Sequence, residues 1–168
     1  GMSEIEISAS DRAKLLSFSE DELMANIALH DASAAAQFGI AGVAKGGFAT
    51  KAEMMGEMHA AGLWSDVVAR GKAIFRKLWN EAKNLVCGTY DQLAKSGDLE
   101  KVLTLLAGLL VTQLGWPNPL ALLVVKAAMK HGLEHNKNIY QNSCISERPT
   151  ISFISTFGGK QNSTSVFN

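Results

Sequence analysis

From Val102 to Val125 the chain runs 24 residues without a formal charge, the longest such run in the sequence. Val102 to Trp116 is apolar nearly all round, with only a narrow lane of Thr104, Gly108, Thr112 and Gly115. A helix apolar on every side has to be buried. Trp116-Pro117-Asn118-Pro119 interrupts the run, because proline cannot continue a helix and restricts the residue before it. Asn118 then caps a second arm with Pro119 at its first position. The pattern predicts a helical hairpin over about 98–131 as the core. A 15-residue first arm is about 22 Å long and the second is shorter, against about 30 Å for a bilayer core.

The flanking pattern is also helical. Ser10-Asp11 predicts a cap for a short helix through Phe18, and Ser19 with Glu22 forms a capping box opening a second that carries Leu23, Ile27 and Ala34 inward. Ala32 to Ala44 is free of charge and rich in Ala, Ser and Gly, a composition that lets backbones approach. Thr50 with Glu53 opens another helix, expected to stop at Gly62. Ser65-Asp66 caps a long helix to about Cys87, its apolar face given by Val67, Gly71, Ile74, Leu78, Ala82 and Leu85. A separate short piece is expected around Tyr90 to Lys95, ending at Gly97, with Asp98 capping the first hairpin arm.

Period-two alternation in Glu4-Ile5-Glu6-Ile7-Ser8 predicts a short strand. After Gly132 the helical pattern gives way to Asn, Ser, Thr and aromatics; Ile151-Ser152-Phe153 and Ser165-Val166-Phe167 read as extended, with Gly158-Gly159 as a turn. The fold class expected is mainly α, a multi-helix bundle around the buried hairpin. A small β element from the N-terminal segment and the tail is expected beside it, with an unstructured tail as the alternative. Residues 3–136 form the helical domain and 137–168 a Ser/Thr/Asn-rich segment.

Charge sums to zero from 16 basic and 16 acidic side chains, which argues against a dominant nucleic-acid surface. The distribution is uneven: residues 1–66 hold 10 acids and 4 bases, net −6, and 67–168 hold 6 acids and 12 bases, net +6. Such asymmetry can orient docking or self-association. Cys87 and Cys144 are far apart and in no C-x-x-C pair, so buried free thiols are expected. Gly1 ahead of Met2 reads as an added residue, and acids at Glu4, Glu6 and Asp11 stand where a signal peptide needs bases, so a cytoplasmic setting is expected.

Two features carry candidate contact chemistry. Met54, Met55 and Met58 cluster on one short helix, where thioethers serve either an irregular core or an adaptable surface. The long helix is basic on its outer side: Arg70, Lys72, Arg76, Lys77 and Lys83 oppose only Glu81, and Phe75 and Trp79 flank the apolar stripe. Such a helix fits a bundle surface, a partner groove or an anionic membrane.

Catalytic chemistry finds less support. His131-Gly132-Leu133-Glu134-His135 matches the H-x-x-E-H string, in which His131 and His135 would bind zinc. A third ligand from a downstream helix is missing from the pattern, and Gly132 weakens the helix that the spacing requires. No G-x-S-x-G elbow appears, neither cysteine has an activating neighbour, and acids such as Glu20, Asp21 and Glu22 sit at helix starts. The expected role is a non-enzymatic interaction or self-association module without a cofactor, its partner an unidentified protein or a second copy. The alternative is a membrane-active protein: a charge-free hairpin preceded by a basic amphipathic helix resembles, in general design and in no residue motif, the hydrophobic hairpin of pore-forming toxins. Metal binding through His131 and His135 is the second alternative.

Overall fold

The computed structural model describes residues 5–43, 47–58 and 63–130. Seven helices are found among them: α1 (Ala9–Ser17), α2 (Glu20–Leu29), α3 (Ala32–Phe38), α4 (Lys51–Glu57), α5 (Leu63–Ala94), α6 (Leu99–Leu114) and α7 (Asn118–Lys130). The fold is therefore mainly α, a compact helical bundle among the described residues, as the pattern predicts.

Helix starts follow local chemistry closely. Both capping boxes form: Ser19 accepts from the Glu22 N–H while Glu22 accepts from the Ser19 N–H, and Thr50 and Glu53 do the same. Asp98 caps α6 by accepting from Lys101 N–H at 3.1 Å. Gly115 ends α6 with φ 72°, a left-handed conformation that favours glycine.

The predicted hairpin is present and buried. Val102, Leu106, Leu110 and Leu123 are among the largest fully buried side chains. Thr104 sits buried in α6 because its hydroxyl donates to the carbonyls of Glu100 and Lys101, one turn back in its own helix. No described helix is long and apolar enough to cross a membrane.

The hairpin shares the centre of the fold with α2. Every residue from Leu23 to Leu29 is buried, and α2 packs against α5, α7 and α3. At the crossing with α5 the two backbones meet at Gly71: a Cβ there would lie 1.8 Å from the Met24 carbonyl oxygen. A side chain's flexibility cannot relieve that contact, because the obstacle is backbone. This is why the predicted apolar face of α5 carries a glycine in its midst.

Several expectations are corrected. Residues 5–8 are not a strand, and no strand occurs among the described residues; instead Ser8 caps α1 by accepting from Asp11 N–H at 3.1 Å. Five alternating residues are outweighed by a helix start that uses Ser8 itself. The second helix stops at Leu29, and Ala34 reaches the core from α3, whose cap is Asp31. α4 ends at Glu57, short of Gly62, and α5 runs unbroken past Cys87 through the segment expected as a separate piece. Gly88 leaves it intact because tertiary packing of Ala82, Val86, Cys87 and Tyr90 outweighs a cost of about 1 kcal/mol. Cys87 is disulfide-bonded, which corrects the expectation of a free thiol there; separation along the sequence does not limit which thiols folding brings together. The other cysteine, Cys144, lies outside the described residues, as do the tail elements at Ile151–Phe153 and Ser165–Phe167 and the 136/137 boundary.

Candidate functional site

The densest polar arrangement surrounds the non-helical segment 47–50 and the start of α4, which run along α1 and α2. Asn26, fully buried on α2, accepts from Ala49 N–H at 2.9 Å and donates to Ala49 C=O and Glu22 C=O, both at 2.8 Å. Its amide thus uses both donors and pairs both backbone groups of Ala49. Glu22 accepts from Ser19 N–H at 3.1 Å and from Lys51 N–H at 2.8 Å, so one carboxylate serves the starts of α2 and α4. Lys14 donates to Phe48 C=O at 3.2 Å and pairs with Glu53.

His30 completes this clamp. Its Nε2 lies 2.7 Å from the Gly47 carbonyl, which only accepts, so Nε2 carries the proton. Burial pushes the His30 pKa below its ordinary value, partly offset by that hydrogen bond. Phe48 packs edge-on against both Phe18 and His30. Each polar group here is engaged with backbone, and the arrangement presents no nucleophile and no acid–base pair. It fastens a segment.

A shallow cleft of about 400 Å³ is lined by Ile5, Arg12, Asp98, Glu100, Lys101 and Thr104. Its charges largely satisfy one another: Arg12 pairs with Glu100 at 2.9 Å, and Asp98 is the cap of α6. Among the described residues no group of three or more His, Cys, Asp or Glu is placed to hold a metal ion. His131 and His135 lie outside the described residues.

The remaining candidates divide by burial. Met54 is fully buried and Met58 nearly so, which places them in the core; Met55 is half-buried and packs against it. Neither Met54 nor Met58 offers a contact surface. Their periodicity was compatible with either role, and packing decides it.

The middle of α5 is different. The helix is about 48 Å long at 1.5 Å per residue. Its beginning is buried at Val67, Val68 and Gly71, and its later part at Ala82, Val86, Cys87 and Tyr90. Between Lys72 and Glu81 no residue is buried: Ile74, Phe75, Leu78 and Trp79 are only half-buried. Phe75 and Trp79, one turn apart, stack with ring planes 6° from parallel and centroids 6.2 Å apart. Lys72 and Arg76 precede them by three residues each, so a basic row runs beside the aromatic row. Lys72, Arg76 and Lys77 are exposed, and none has an ion pair among the described residues. Arg70 is held apart from this group by donating to Gln37 of α3 at 3.1 Å.

Phe75, Arg76, Lys77 and Trp79 are thus brought together on one helix segment, whereas Met54 and Met58 are not part of it. Ile74 and Leu78 read as core positions from their spacing; their half-burial could not be seen there, because it depends on what α2 and α6 leave uncovered. No protein-family model matches the chain, and no curated protein or solved structure matches it.

Proposed function

We propose that the protein is a non-enzymatic interaction module whose contact face is the middle of α5. One observation carries this reading: the apolar residues Ile74, Phe75, Leu78 and Trp79 pack against the core yet are only partly buried, beside the exposed Lys72, Arg76 and Lys77. A partly exposed apolar strip with a charged rim has the anatomy of a partner-binding surface. The buried α6–α7 hairpin supports a core role for those helices, so membrane insertion is not needed to explain them. A disulfide-bonded Cys87 suits an oxidising compartment better than the cytoplasm.

A photo-crosslinking amino acid placed at Asn80, beside Trp79, and at Glu57, on α4, tests the assignment in living cells. A discrete adduct from Asn80 and none from Glu57 is the expected result. Equal adducts from both, or none from Asn80, would contradict it.

A further inference from the structure

We infer that Cys87 is bonded to Cys144 of the same chain, and that this bond clasps the apolar α6–α7 hairpin onto α5 at both of its ends. Cys87 is disulfide-bonded, and the chain holds one other cysteine, Cys144. Reach permits the pairing. α7 packs against α5 and ends at Lys130, and the 14 residues from 131 to 144 span up to about 46 Å when extended. Burial opposes a bond between two copies. A disulfide needs its two Cα atoms within about 7 Å, and Cys87 is only 9% exposed within its own bundle.

Position on α5 points the same way. Trp79, Lys83, Cys87 and Asp91 follow one another at steps of four, so they share one line of the helix. All four take part in interactions beyond those described above. A segment anchored at Cys87 and laid along α5 meets such a line at several points, where a crosslink alone would engage one.

The stretch between the two cysteines contains the whole of α6 and α7. Residues 95–98 join α6 to α5 at one end of the hairpin, and the disulfide returns the chain to α5 at the other. The hairpin therefore sits in a covalent loop and cannot leave the bundle as a free arm while the bond is intact. Closing the loop also removes conformations from the unfolded chain, which stabilises the fold. Formation joins the two sulfurs and passes two electrons and two protons to a disulfide-bearing oxidant, whose own S–S bond opens to two thiols. Because the Cys87 sulfur is shielded from thiolates in solution, the bond is a lasting clasp rather than a switch.

Peptide mass mapping of the purified full chain without reductant tests the pairing. One linked pair holding Cys87 and Cys144, obtained from monomeric protein and separated by dithiothreitol, is the expected result. Alkylation of either cysteine in urea before reduction, or a Cys87–Cys87 pair joining two chains, would overturn it. Equilibrium urea unfolding tests the clasp. Cys144→Ser removes the bond and leaves the buried Cys87 in place, so its midpoint should coincide with that of the native chain in dithiothreitol. Both should lie roughly 1 M below the oxidised native chain. Dithiothreitol should leave Cys144→Ser unchanged. An equal response of both proteins to dithiothreitol, or coincident midpoints for Cys144→Ser and the oxidised native chain, would overturn the clasp.

Discussion

α2 and the middle of α5 are both apolar on the side that faces the core, yet they end in different states. α2 is short and closed in by α5, α7 and α3, so even its one polar core residue, Asn26, is paired on every hydrogen-bonding group it can offer. α5 is long enough that its neighbours cover its two ends and leave Ile74, Phe75, Leu78 and Trp79 partly open. Length relative to the neighbours, rather than hydrophobicity, decides which apolar surface is closed over and which stays partly exposed.

Substitutions can break the closed half of this comparison most severely. Gly71→Ala would drive a Cβ into the Met24 carbonyl and should cost about 3 kcal/mol or more, read as a fall in the urea midpoint. Gly88→Ala on the same helix meets nothing within 4 Å and should instead stabilise by up to about 1 kcal/mol, which isolates the crossing as the cause. Asn26→Ala strands both backbone groups of Ala49 in the core, and a loss of about 3 kcal/mol is expected from the same measurement. Glu22→Ala removes acceptors from two helix starts at once, with an expected cost of about 1.5 kcal/mol.

A pH series sharpens the comparison further. His30 has a folded pKa below its unfolded value, so between those two values the unfolded chain binds more protons. Its contribution is fully present above the unfolded value near 6.5 and is lost as pH falls from there through the lowered folded pKa. Thermal midpoints of the native chain should therefore drop across that window more steeply than those of His30→Gln. Parallel curves for the two proteins would show that His30 is not the group responsible. In the middle of α5 effects should be smallest: Lys72→Glu should change stability by no more than about 0.5 kcal/mol, since the side chain is exposed and without an ion pair among the described residues. A larger loss there would mean that this face already does structural work.

Features set by a few neighbouring residues were legible in the sequence. The boxes at Ser19 and Thr50, the Asp98 cap, the break at Pro117 and Pro119 and the stripe on α5 all depend on spacings of three or four. What was not legible depends on distant partners. Asn26 reads as an ordinary polar residue until Ala49, 23 residues away, is seen to need both of its functions. Gly71 reads as a weak spot until Met24 is found against it. The candidate face divides in the same way: the basic row and the aromatic pair follow from spacing, while their half-burial depends on what the rest of the fold covers.

Hydroxyl-radical footprinting of the full chain, normalised to the intrinsic reactivity of each residue type, measures the central contrast directly. Phe75 and Trp79 are expected to be modified well above Phe18 and Trp116, which are buried. Protection of Phe75 and Trp79 equal to that of Phe18 and Trp116 would mean the stripe is covered in solution, and would contradict the proposed contact face.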